Sequence, residues 1–276
     1  MTLVLDGRET TDKVMEEVAA EVEALKARGV TPGLALVLSG DDKYSARYVN
    51  LKKKRAEKVG IYAEFHQLEQ TTDEELVALI HRLNEDPKIH GIMVQLPLAE
   101  GLSELKAVDA IAPEKDVDGL SPNTLGKILM GEETYPPAGV EAIMELFRRY
   151  GIDPNRKHWV IVGSSNFLSK PLAAYVMNLS SNMTQVDEGC PHIAKRIKDA
   201  DVISTEIQKK HFVKADMVKE GVIVIDNGNT YEGKKVYGDV DPEVYEKASA
   251  YTPVPGGTGP MLIAMLLKAT VKAASL

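Results

Sequence analysis

The chain has 276 residues, 44% apolar and 27% charged, enough for one large or two modest α/β domains around a true core. A net charge of -8 repels phosphate backbones and argues against nucleic acid as a partner, while a single cysteine, Cys190, rules out an intramolecular disulfide and fits a reducing compartment. The first residues lack the basic start and long apolar run of a secretory signal, and residues 261–267 are apolar over too short a run to span a bilayer; the expectation is a cytoplasmic protein with no membrane partner.

In chain order, Val14, Val18, Val22 and Leu25 recur at helical spacing and Gly29 follows as a stop. Residues 34–38 (LALVL) predict a buried strand, 44–59 a charged helix closed by Gly60, and 61–65 a short strand. Residues 73–83 predict a helix capped by Thr72 or Asp73, and 90–95 (HGIMVQ) a strand that stops at Leu96-Pro97. Residues 112–139 are rich in Pro, Gly and Asp and predict loops with a short helix. Then come a helix over 140–150, a strand over 158–163, a helix over 170–178, and strands over 202–205 and 222–226. A last helix, from Gly259 onward, is apolar nearly all round and predicts burial against the first domain. Strand–helix alternation implies parallel strands joined by helical crossovers: an α/β fold in two domains.

Several short runs carry chemistry. Tyr48 and Lys52 lie four apart on one predicted helix face, where a ring can stack a flat ligand and an amine can reach its reactive atom; a surface pair fits the spacing as well. Gln95 stands at the carboxyl end of a strand, where ligands gather in open α/β sheets. In PEKDVDG, Asp116 and Asp118 suit acid–base work, hydrogen bonding to an aminopyrimidine, or a solvated turn; with no third ligand nearby, metal is disfavoured. Gly163, Ser164, Ser165 and Asn166 bridge a strand and a helix and can offer donors to a diphosphate, although they are not a G-x-G-x-x-G fingerprint. TPVPGGTGP, with Pro255, Gly256 and Gly257, makes a rigid loop whose backbone can approach a ligand closely.

Taken in order, Gly40-Asp41 with Ser45, YVNLK, VQLPL, PEKDVDG, VGSSN with its Lys-Pro pair, VIDNG, GDVD and TPVPGGTGPM resemble the bifunctional methylenetetrahydrofolate dehydrogenase/cyclohydrolases, from about residue 30 onward. The resemblance implies a folate domain over 1–138 completed by a C-terminal segment 252–276, a Rossmann-like NAD(P)-binding domain over 139–251, a cleft between them, and a homodimer. It implies oxidation of 5,10-methylenetetrahydrofolate to the 5,10-methenyl form, then hydrolysis to 10-formyltetrahydrofolate. By that resemblance Lys52 is the catalytic lysine, Tyr48 stacks on the substrate, Gln95 contacts the lysine, and Asp118 holds the pterin. The cofactor side is implied to involve Gly163, Ser164, Ser165, Asn166, Asp187, Glu188 and Thr205, and the substrate loop Pro255, Gly256 and Gly257. A cyclohydrolase without dehydrogenase activity, or a folate-binding protein without catalysis, are the alternatives.

The second half departs from the family pattern. Gly-Arg-Ser is Gly163-Ser164-Ser165 here, the glycine before Lys-Pro is Ser169, and Cys-His-Ser is Val186-Asp187-Glu188. Ala-x-Gly is Glu206-Ile207-Gln208, Pro-Cys-Thr-Pro is Thr134-Tyr135-Pro136-Pro137, and the Thr after GPM is Leu262. NADP is the family's cofactor; Asp187 and Glu188 lean toward NAD, since carboxylates favour a free ribose hydroxyl, unless Lys195 or Arg196 compensates.

Overall fold

The computed structural model describes residues 2–132 and 134–276; Met1 and Glu133, the latter inside the loop region expected over 112–139, lie outside the described residues. The chain opens with strand β1 (Leu3–Val4) and helix α1 (Gly7–Ala27), whose Val14, Val18, Val22 and Leu25 are all buried. Next come β2 (Gly33–Ser39), α2 (Lys43–Lys58), β3 (Tyr62–Leu68), α3 (Asp73–Glu85), β4 (Gly91–Val94), α4 (Glu104–Asp109) and α5 (Pro122–Met130). The second series runs α6 (Ala138–Arg149), β5 (His158–Val162), α7 (Ser169–Met177), β6 (Asn182–Val186), α8 (Ile193–Ile197), β7 (Val202–Thr205) and β8 (Ile223–Asp226). A hairpin of β9 (Thr230–Glu232) and β10 (Lys235–Tyr237), then α9 (Pro242–Lys247), β11 (Ala250–Tyr251) and α10 (Thr258–Ala274), complete it.

The chain divides into two compact units. One holds residues 12–127, 134–138 and Ile263–Leu276. Its sheet is three-stranded and parallel, in the order β3-β2-β4. Every residue of β2 is buried, as a central strand covered on both faces must be. Leu76, Ile80 and Leu83 of α3 pack with Ala35, Val37 and Ile92 of the strands. A capping box at Thr72 and Glu75 starts α3, so Thr72 rather than Asp73 is the cap. Because β3 lies on one side of β2 and β4 on the other, the connections part above the carboxyl ends of β2 and β4.

The other unit holds the residues up to Thr11, Ile128–Glu132 and Gly139–Leu262. Its parallel sheet has the order β1-β11-β8-β7-β5-β6. Here β6 and β7 flank β5, which puts a second parting of the connections at the ends of β5 and β7.

Two boundaries expected from the sequence are corrected. Residues 2–11 group with the six-stranded sheet rather than with the first domain, because Leu3 and Val4 pair in parallel with Ala250 and Tyr251. The segment 252–276 is divided: up to Leu262 it groups with that same unit, and from Ile263 onward with the three-stranded one. A contact with the glycine loop also joins the start of the chain to this unit. Gly7 N donates to Gly256 O at 2.8 Å, and a Cβ on Gly7 would lie 1.7 Å from Gly257 O, so only glycine lets the two backbones meet there.

Candidate active site

Lys52 sits on α2 after β2, and Gln95 directly follows β4; the parting of the two crossovers brings them together. The Lys52 Nζ donates to Gln95 Oε1 at 3.0 Å, lies 3.7 Å from Met93 Sδ, and stands 4.5 Å from the centre of the Tyr48 ring. Gln95 is itself fixed: its backbone N–H donates to Val37 O at 2.7 Å and its Nε2 to Leu96 O at 2.7 Å. That leaves Oε1 facing the amine. The Leu96-Pro97 peptide is cis, as is Val254-Pro255. Lys52 is only 7% exposed, and burial pushes its amine down to about 8, opposed by the negative charge of Asp118. The same burial, with the Asp118 charge, holds the Tyr48 hydroxyl above its ordinary range.

The two aspartates of PEKDVDG have separate fates. Asp116 is fully buried and accepts from the backbone N–H groups of Gly119 and Ser121 at 3.1 and 3.0 Å and from Thr124 Oγ1 at 2.6 Å. It is a loop pin. Asp118 keeps part of its surface exposed, yet desolvation still pushes its carboxyl up to about 6; Lys52 works against that shift and Asp116 adds to it. Gly119 turns the chain at φ 72, and a side chain there would strike Tyr135 O at 2.4 Å. Tyr48, Lys52, Gln95 and Asp118 all lie in the three-stranded unit, where the charges of Lys52 and Asp118 act on each other.

In the other unit, Gly163 leaves β5 beside Glu206, which leaves β7, since Val162 and Thr205 are paired. Gly163 has φ 145, and a Cβ on it would lie 2.5 Å from Ser169 Oγ and 2.8 Å from Glu206 O. Ser164 Oγ donates to Asp187 Oδ2 at 2.7 Å, a bond that holds the Asp187 carboxyl below its ordinary range. Asn166 Oδ1 accepts from Lys170 Nζ at 2.8 Å. Asp187 and Glu188 follow β6 and are exposed, and Glu188 is paired with Lys209 at 2.6 Å. Thr205, the last residue of β7, is fully buried, and its hydroxyl donates to Asp226 Oδ1 at 3.3 Å, at the end of the neighbouring β8.

Glu206 was read in the sequence only as a departure. Its carboxylate accepts from Ser165 Oγ in a short bond, from Ser169 Oγ at 2.8 Å and from Ser169 N at 3.3 Å. Of the donors that the sequence offers to a diphosphate, Ser165 is thus held by a side chain 41 residues away, a distance no local pattern can span. The fit to a dinucleotide is therefore divided. The glycine turn and the exposed acceptor after β6 suit its adenosine ribose, while the phosphate donors are engaged by Glu206. Among the described residues, no group of three His, Cys, Asp or Glu is arranged to hold a metal ion, and no helix is long and apolar enough to cross a membrane.

Fold and site together define a two-unit α/β enzyme, with a buried, deprotonation-prone lysine in one unit and a dinucleotide-type parallel sheet in the other. The chain belongs to the tetrahydrofolate dehydrogenase/cyclohydrolase family: its catalytic domain matches residues 5–118 and its NAD(P)-binding domain residues 137–276. The bifunctional protein FolD of Moorella thermoacetica is 46% identical over 274 residues, 98% of each chain. The crystal structure of the bifunctional FolD methylenetetrahydrofolate dehydrogenase/cyclohydrolase from Campylobacter jejuni has a TM-score of 0.97 at 39% identity, covering 100% of this chain and 99% of that one. The Trypanosoma brucei enzyme, solved with NADP cofactor and an inhibitor, has a TM-score of 0.91 at 33% identity over 99% and 97% of the two chains.

Proposed function

We propose that this protein oxidises 5,10-methylenetetrahydrofolate to the methenyl form with a nicotinamide dinucleotide, and hydrolyses that product to 10-formyltetrahydrofolate, with Lys52 moving the proton. The observation that carries the reading is the amine of Lys52, buried, neutral in part near pH 8, and held at 3.0 Å by a neutral acceptor. Water adding to an electrophilic methenyl carbon must lose a proton, and an amine can take it only when it is not already protonated. Gln95 orients the amine without the negative charge that would keep it protonated. Tyr48 offers its ring as a stacking face, and Asp118 accepts from the amino and ring N–H donors of a pterin. The dinucleotide, when bound, supplies the hydride acceptor; the protein's share of that step is to orient it.

Cofactor choice is the finer proposal. Asp187 and Glu188 favour NAD, and Ser164, already bonded to Asp187, supplies no cation for a 2′-phosphate. Lys209, the cation beside Glu188, is the group able to offset this. The experiment follows methenyl formation by absorbance, with NADP and NAD compared in kcat/KM. Wild type is expected to discriminate weakly or to favour NAD, and Glu188→Ser with Ser164→Arg to move the preference toward NADP. A strong wild-type preference for NADP contradicts this assignment, and turnover with neither contradicts the dehydrogenase step. We also propose a homodimer in the cytoplasm, with the exposed edge strand β6 an available pairing surface; molar mass in solution tests the assembly.

A further inference from the structure

The carboxyl edge of the six-stranded sheet holds an arrangement that a dinucleotide site does not need. A diphosphate at such an edge is held by N–H and O–H donors at the start of the following helix, where the helix dipole also favours negative charge. In this chain those donors are the Ser165 hydroxyl, the Ser169 hydroxyl and the Ser169 N–H at the first residue of the nine-residue helix α7. All three point to one oxygen, Oε2 of Glu206. An anion is thus already in place there, and it is part of the chain.

The position of Glu206 is fixed from both sides. Before it, Glu206 N donates to Val162 O at 2.9 Å, continuing the pairing of β5 with β7. After it, the N–H groups of Ile207 and Lys209 both donate to the buried carboxylate of Asp239, at 2.8 Å each. The Gln208 between them is held at φ 58. The backbone of this turn is anchored by bonds that do not involve the Glu206 side chain. The side chain alone can therefore swing while the turn stays.

We propose that Glu206 occupies the diphosphate place with its own carboxylate, so that a nicotinamide dinucleotide binds this edge only by displacing it. The proposal rests on the reading of this edge as a dinucleotide site. It has two consequences. The dinucleotide must break three hydrogen bonds to a charged group before it makes its own, and a diphosphate brought beside an undisplaced carboxylate meets like charge. The competition acts on the diphosphate, which NAD and NADP share, so it lowers affinity for both and leaves their ratio unchanged.

The test is direct binding, read by calorimetry on the full-length protein without folate, with NAD, NADP and inorganic pyrophosphate as probes. Glu206→Ala frees the three donors, and Glu206→Gln keeps the shape but removes the charge. Glu206→Ala is expected to tighten both dinucleotides by about ten- to a hundred-fold, the worth of one charged hydrogen bond, with Glu206→Gln between it and wild type. Cooperative thermal unfolding of Glu206→Gln shows that a change in binding is not a change in folding. Pyrophosphate binding gained in Glu206→Ala without any dinucleotide binding supports Glu206 as the internal anion and counts against the dinucleotide reading. Dissociation constants unchanged or weakened for all three probes in both variants overturn the proposal, as does a tightening confined to one dinucleotide.

Discussion

Burying Lys52 lowers its hold on a proton and charges the fold for it in the same measure. Its amine is ordinarily protonated to 10.5 and here only to about 8, so in that window the unfolded chain binds the extra proton. Stability therefore rises as pH climbs through it, and below about 8 the protonated amine costs the fold about 3 kcal/mol. Asp118 has the opposite sign. Its carboxyl titrates at about 6 rather than 3.8, so stability falls as pH rises between those values and the ionised form is a cost at neutral pH. Asp118→Asn removes that cost while losing a charged acceptor for the pterin. The expected result is a higher Tm at pH 7 together with a folate KM raised about tenfold or more, one charged hydrogen bond's worth, with dinucleotide affinity unchanged. Steady-state kinetics and a melting curve on the same sample check both; unchanged folate kinetics removes Asp118 from the site. In wild type, hydrolysis of methenyl-folate should rise with pH and level off above about 8 as the Lys52 amine becomes neutral, and should decline below about 6 as Asp118 is protonated.

At the scale of the element, the PEKDVDG loop shows why two carboxylates two residues apart do different work. Spacing alone would put residues i and i+2 on the same side of an extended chain; the turn separates them, and here Asp116 faces inward to the start of α5. Asp116→Ala leaves the N–H groups of Gly119 and Ser121 and the Thr124 hydroxyl without their acceptor in a buried setting. It should cost about 3–5 kcal/mol of stability, read as a lower denaturant midpoint, and should impair folate binding through Asp118. A variant as stable as wild type contradicts the pinning role. The sequence could not separate the two aspartates, because loop direction is set by the Gly119 turn against residues 135–137, which are distant in the pattern. Strand periodicity made β2, β4, β5, β7 and β8 legible, since buried parallel strands are continuous apolar runs. It missed β6, whose NMTQV is exposed and polar at a sheet edge, and β1, which is two residues long and exists only through its pairing with β11.

For the whole molecule, the contact of Lys52 with Gln95 joins two short runs that the sequence singles out, one on α2 and one at the end of β4. Lys52 meets Gln95 because β3 and β4 flank β2, an order that strand–helix alternation, which implies only parallel strands, leaves open. The other unit was legible in fold and much less so in its site. The Thr205 hydroxyl bonds to Asp226, Ser164 to Asp187, and Glu206, which follows a different strand, takes the donors of Ser165 and Ser169. Each of these contacts joins residues 21 to 41 apart, so each depends on sheet order rather than on local spacing.

Lys52 is proposed as the proton-handling group of the folate reaction. The direct measurement is the decay of 5,10-methenyltetrahydrofolate absorbance catalysed by wild type and by Lys52→Met, with the uncatalysed rate subtracted and folding verified by a cooperative melt. The methionine fills much of the same buried space without an amine, so the fold is retained and, free of the buried charge, melts slightly higher. The expected result is a hydrolysis rate lowered ~10²–10⁴-fold in Lys52→Met. A Lys52→Met protein that hydrolyses methenyl-folate at close to the wild-type rate would contradict the central claim.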